Sequence, residues 1–116
     1  MESLALANQI MDVILDKQGD NILLLDIQEL TPFSDYFIIC SGQSNRQLDA
    51  LQSAIREAMK QGDEKVLPAN VEGTPESGWI LLDYGGVIVH LFSPETRDYY
   101  QLEELWKEAR VLTHIQ

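Results

Sequence analysis

DYFIICSGQSNRQLDAL, residues 35–51, carries three structural signals in succession. Tyr36 to Cys40 is a near-continuous apolar run of strand length, the pattern of a strand covered on both faces. Ser41-Gly42 and a polar turn follow. Ser44 then stands as an N-cap with Gln47 three residues on, the spacing in which each side chain satisfies an orphan backbone donor. Leu48, Leu51, Ile55, Ala58 and Met59 give the ensuing helix one apolar face, and Gly62 ends it. A strand, a glycine turn and a helix start together form a geometry in which many folds seat a phosphate.

Working outward, the same patterning continues. Leu6, Ile10, Val13 and Ile14 recur at helical spacing behind Ser3, a possible cap, and Gly19 is a stop signal. NILLLDI, residues 21–27, is a second apolar run of strand length, and ELTPFSD turns the chain through Pro32. EKVLPANVEGTPESG is rich in Pro, Gly and Glu, with at most a short edge strand near Val66. GWILLDYGGVIVHLF reads as two strands about a tight turn at Tyr84-Gly85-Gly86, where adjacent glycines suit positive φ angles. SPETRDYYQLEELWKEARVL reads as a helix striped by Tyr99, Leu102, Leu105, Trp106, Ala109 and Leu112, with Glu103 and Lys107 as an i,i+4 pair. The expected order is α-β-β-α-(β)-β-β-α. That is an α/β (α+β) fold, a mixed β-sheet flanked by helices in one domain spanning residues 1–116.

Bulk properties narrow the function. Nineteen acids against eight bases give a formal net charge of −11. Nucleic-acid binding demands clustered Lys and Arg, so little direct contact with nucleic acid is expected. A basic protein is the natural partner of such a surface, although many acidic proteins are simply soluble. No apolar run reaches the ~18 residues of a membrane span. The N-terminus is acidic and amphipathic, unlike a secretory signal, and a cytoplasmic protein is expected. Cys40 is the single cysteine and lies within an apolar run, which points to core.

Catalysis finds little support. A nucleotidyltransferase core of the kind suggested by residues 35–51 holds two magnesium ions between paired carboxylates. Asp83 offers one acid at a strand end, but Gly85 occupies the position two residues on. His90 suits magnesium poorly, and Asp26 and Asp35 are isolated. GxGxxG, GxxxxGK[ST] and GxSxG are absent, and His90 and His114 have no partner at zinc-ligand spacing. No metal or cofactor is expected.

Four blocks, SDYFIICSGQSNRQ, VEG, WILLDYGGVIVHLF and RDYYQLEELW, follow one another in the order of the ribosomal silencing factor family, RsfS, also called Iojap-related proteins. The resemblance covers nearly the whole chain. It implies a nucleotidyltransferase-like fold lacking the catalytic acid pair, and no enzyme activity. It further implies binding to a basic protein, protein fourteen, on the intersubunit face of the large ribosomal subunit. Occupancy of that face blocks joining of the small subunit and represses translation under nutrient limitation. Organellar relatives are linked to large-subunit assembly.

By the family motif the binding surface centres on the last two strands and the segment after them. Trp79 is a hot-spot residue type, with core as the alternative. Asp83 and Tyr84 close the hairpin, where an acid either pairs with a basic partner or forms the turn. His90 alternates with apolar neighbours and reads best as a half-buried, satisfied histidine. Arg97, Asp98, Tyr99 and Tyr100 open the last helix, whose geometry lets one Tyr pack inward while the other faces out. Glu72 is a loop acid, either contact or solvated. The family commonly reads Tyr-Gly-Asp at the turn, where this chain has Gly86, so one carboxylate is missing there. Exposed edge strands leave a homodimer open.

Overall fold

A computed structural model of the chain describes residues 2–116. The order is α1 (Ser3–Asp16), β1 (Asp20–Asp26), β2 (Tyr36–Ser41), α2 (Asn45–Gln61), β3 (Asn70–Glu72), a 3₁₀ turn (Pro75–Ser77), β4 (Trp79–Asp83), β5 (Val87–Phe92), α3 (Pro94–Tyr100), α4 (Leu102–Leu105) and β6 (Arg110–Ile115). Six strands form one mixed sheet in the order β3-β4-β5-β2-β1-β6. Only β2 and β5 run parallel; the other four pairings are antiparallel.

The apolar runs explain the layers. Every residue of β2 is buried, the apolar run Tyr36–Cys40 and also the polar Ser41 that ends it. On one sheet face Ile22, Leu24, Ile38, Cys40, Ile80, Leu82, Val87, Val89 and Leu91 pack with the apolar stripes of α1 and α2. On the other face Leu25, Ile27, Phe37, Ile39 and Phe92 meet Leu102 and Ala109, with Trp79, Ile88 and Trp106 partly covered beside them. The second cluster is the smaller one. The segment Pro94–Ala109 does not extend over the whole sheet, so β4 keeps a half-covered outer face at Trp79, Leu81 and Asp83. Cys40 is fully buried, and burial pushes its thiol up to about 12, which makes it an inert core residue.

Local signals were met with shifts. Ser44 Oγ accepts from the Gln47 N–H at 3.1 Å, but Gln47 Oε1 accepts from the Gln43 N–H at 2.7 Å, so the capping pair closes one residue early. Glu2, not Ser3, occupies the N-cap of α1, with no side-chain cap bond. The left-handed residue after α1 is Gln18, φ 62°, immediately before Gly19. Val66 lies outside any strand; its N–H donates to Met59 O, and the edge strand forms at Asn70–Glu72 instead.

The largest departure is the expected C-terminal helix. It stops at Tyr100, because Gln101 takes φ 50°, and after the single turn of α4 the chain becomes β6, antiparallel to β1. Arg110–Ile115 carries β-branched residues at alternate positions, Val111, Thr113 and Ile115, a strand signal that competes with the helical spacing of Ala109 and Leu112. Pairing with β1 satisfies backbone groups that a helix would have left at a bare sheet edge. Tyr99 and Leu105 therefore never join a buried stripe; they are 80% and 76% exposed. Glu103 is drawn to Arg97 rather than to Lys107.

At the β4–β5 turn only Gly85 needs a positive φ, 86°. Gly86 is crowded: a Cβ there would force Ser3 Oγ to turn away and come within 3.0 Å of Ser3 Cβ and 3.3 Å of Asp35 Oδ2. The departure from Tyr-Gly-Asp is thus matched by the start of α1 resting on this turn. Gly86→Asp is expected to displace Ser3, place a second carboxylate beside Asp35 and destabilise the fold by about 1–2 kcal/mol. Urea unfolding compared with Ser3→Gly/Gly86→Asp, which recovers part of that loss, checks it.

Candidate functional site

The half-covered face of β4 is built by strand alternation. Trp79, Leu81 and Asp83 point one way, and Ile80 and Leu82 point into the helix-covered core. Register places Glu72 of β3 opposite Leu81, and Leu81 opposite His90, which in turn faces Ile39. One row across the sheet thus runs from an exposed acid through a half-buried leucine to a buried histidine.

Above this row lies a groove of about 310 Å³ lined by Glu72, Gly73, Ser77, Trp79, Leu81, Thr96 and Tyr100. Its walls are locally braced. In the 3₁₀ turn Ser77 N–H donates to Thr74 Oγ1 at 3.2 Å, and Thr74 N–H donates to Ser77 Oγ at 3.1 Å. Ser93 caps α3 by accepting from the Thr96 N–H at 3.2 Å. Trp79 lies 4.8 Å from the Phe92 ring and 5.0 Å from Tyr100, and Tyr100 meets Tyr99 edge-on at 5.0 Å. Glu72 is the one charged lining residue, and Asn70 Nδ2 donates to it at 2.8 Å. Glu76 and Glu95 are exposed on the flanking turn and helix, and Asp98 is exposed on the opposite side of that helix. The result is an aromatic groove with an acidic border.

Among the sequence-derived residues, Glu72, Trp79, Tyr99 and Tyr100 gather on or beside this groove, whereas Asp98 does not: it lies on the other side of α3 with Asn21, Ser41 and Arg97. Both tyrosines face solvent, Tyr99 at 80% and Tyr100 at 51%, so the expected inward–outward division is not found. Trp79 is partly buried: it packs on the second core and also lines the groove. Asp83 shares its face, while its Oδ1 accepts from the Gly85 N–H at 2.8 Å and so also forms the turn. Tyr84 goes elsewhere. It packs against the helix-covered core, and burial raises its hydroxyl while nearby Arg56 lowers it.

His90 and Arg97 are interior. His90 is 4% exposed, and its Nδ1 accepts from Trp79 Nε1 at 3.2 Å. Expected as half-buried and satisfied, it is instead fully buried, and its Nε2 has no hydrogen-bond partner among the described residues. The reason is the cover that the C-terminal segment gives Phe37 and Phe92 on either side of it. Arg97 is 7% exposed; it donates from Nε to Glu103 Oε1 at 2.9 Å and from Nη1 to Asn21 O at 2.7 Å and Ser41 Oγ at 2.9 Å. Neither side chain presents a surface to a partner. Leu81 and Thr96 were missed. Period-two alternation from Trp79 would have found Leu81; nothing in the sequence signalled Thr96, which α3 places against the turn at Gly78.

Burial pushes His90 down to about 4 from an ordinary value near 6.5. The unfolded chain therefore takes up this proton first as pH falls. His90's contribution to stability is complete above about 6.5 and is lost between there and about 4. Trp79, Phe37, Phe92, Leu81 and Ile39 around it carry no charge to offset this. Urea unfolding across that window should show a steeper loss in the wild type than in His90→Phe.

A family model described as "Ribosomal silencing factor during starvation" matches residues 1–116. The chain belongs to the ribosomal silencing factor family. It is 41% identical over 95 residues to ribosomal silencing factor RsfS of Bacillus subtilis, covering 81% of this chain and 78% of the relative. A crystal structure of a Chromobacterium violaceum protein matches with a TM-score of 0.86 at 34% identity, over 92% of this chain and 88% of that one. The mouse protein named mitochondrial assembly of ribosomal large subunit protein 1 is 29% identical over 100 residues, 85% of this chain and 44% of its own length. The family is thus ribosome-associated by name, and Glu72, Gly73, Trp79, Leu81 and Tyr100 of the groove lie in the blocks by which the sequence resembled it.

Proposed function

We propose that this chain, acting as one domain over residues 1–116, is a non-enzymatic ribosome-binding protein of the cytoplasm. It docks on a basic ribosomal protein at the intersubunit face of the large subunit, that subunit's protein fourteen. Its bulk there keeps the small subunit from joining and represses translation when nutrients are scarce. The observation that carries the reading is the groove of Trp79, Leu81 and Tyr100, with Glu72 on its rim and Glu76 exposed on the adjoining turn, on a chain of net charge −11 within this family. Aromatic anchors inside an acidic rim suit a basic protein surface, since aromatics supply desolvated contact area and acids supply orientation and steering.

Sedimentation of the purified protein with separated subunits tests this, followed by sedimentation with both subunits mixed. The expected result is cosedimentation with the large subunit alone and fewer joined particles in the mixture. Absence from both subunits at low salt would overturn the reading. The name of the mouse relative favours a second reading, large-subunit assembly. Cosedimentation only with immature large particles, with subunit joining undisturbed, would select it.

A further inference from the structure

We propose that His90 is a positioning residue of the groove: its Nδ1 holds the Trp79 indole, by the edge, in the orientation that leaves the ring as a groove wall. The proposal rests on the binding role given above to that groove, though its structural half stands alone.

Three observations carry it. The bond from Trp79 Nε1 to His90 Nδ1 is 3.2 Å long and links the strand register pair Leu81–His90 to the preceding residue on the same face. A neutral imidazole with Nδ1 accepting must carry its proton on Nε2. That Nε2 is buried and has no hydrogen-bond partner among the described residues. An unpartnered buried donor is destabilising, and the row around it, Leu81, His90 and Ile39, is otherwise apolar. A leucine or phenylalanine would fill this position without that cost. The histidine is therefore explained by its other nitrogen, the one that holds Trp79.

The ring contacts show what is held. Trp106 packs on Phe37 at 4.9 Å, Phe37 on His90 at 4.8 Å, His90 on Trp79 at 6.0 Å and Trp79 on Tyr100 at 5.0 Å. Among the described residues, the Trp79–His90 contact is the link in this chain of rings that also carries a directional hydrogen bond. Stacking alone leaves an indole free to slide or turn over, whereas a buried N–H···N bond fixes its edge. Because burial keeps His90 neutral at physiological pH, the acceptor is always present there.

The test is the indole N–H resonance of Trp79 in ¹⁵N-labelled protein, assigned with Trp106→Phe, read alongside cosedimentation with large subunits. His90→Phe keeps a ring and removes the acceptor; His90→Asn places a carbonyl oxygen near the Nδ1 position. With His90→Phe the Trp79 indole resonance should move and its hydrogen exchange accelerate at least tenfold, while subunit binding weakens about tenfold and the fold persists. His90→Asn should restore slow exchange and bring binding to within about threefold of wild type, even if it is the less stable protein. Unchanged indole exchange in His90→Phe would overturn the proposal, as would equal loss of binding in both variants with the indole unmoved. Failure of the wild type to bind subunits would remove the binding role of the groove, and the indole exchange would still decide whether His90 holds Trp79.

Discussion

Trp79→Ala will weaken large-subunit binding by about 30-fold or more, corresponding to ~2 kcal/mol, while the chain remains folded. The size of the effect follows from where the ring lies. Trp79 sits in the middle of the groove, touching Tyr100 on one side and Phe92 on the other, with Leu81 next to it on the same sheet face. Central, partly desolvated aromatics surrounded by a polar border carry a disproportionate share of interface energy. Truncation also removes packing from the second core, so the melting temperature should fall as well. Circular dichroism at the binding temperature separates the two effects. Trp79→Phe, which keeps a ring but loses Nε1, should fall between alanine and wild type in binding and also in stability, because the buried His90 Nδ1 then has no donor. A folded Trp79→Ala protein that binds as tightly as wild type would show that the partner docks elsewhere.

The sequence allowed the sheet to be read because its strands are self-announcing. Residues 22–25 and 36–40 are apolar without interruption, and such runs in a chain of this length have few places to go except a doubly covered sheet. Helix α2 was equally legible, since Ser44 and Gly62 bracket one apolar stripe. The C-terminal segment was not. Its residues satisfy helical spacing and strand alternation together, and the choice is made by β1, whose free edge lies almost ninety positions away in sequence. Local pattern cannot contain that information. The groove shows the same division. Trp79 and the two tyrosines were recognisable as residue types, but their exposure depended on the helix break at Gln101. Had the helix continued, Tyr99 would have shared a face with Leu102 and Trp106 instead of standing in solvent.

Arg97 is the residue that ties these pieces together, and Arg97→Ala should destabilise the protein by about 3 kcal/mol, lowering its melting temperature by ~10 °C. The guanidinium reaches three separate parts of the chain. Nε pairs with Glu103 beyond the helix break, and Nη1 bridges Asn21 O at the irregular start of β1 and Ser41 Oγ at the end of β2. The planar fork allows these bonds at once, which a lysine ammonium on a flexible stem cannot reproduce. Glu103 is 35% exposed and can turn to water, so most of the loss comes from the acceptors and packing at the sheet end. Arg97→Met should therefore recover the packing share but not the bonds, and Arg97→Lys should recover less than half of the total. The consequence reaches the groove, because α3 carries Tyr99 and Tyr100 three residues or fewer from Arg97. Loosening the clamp frees the wall that faces Trp79, so subunit binding should weaken without any contact residue being changed. A double-mutant cycle between Arg97→Met and Tyr100→Ala reads this directly. Strong coupling in binding means that Arg97 acts by placing Tyr100; simple additivity would confine its role to stability.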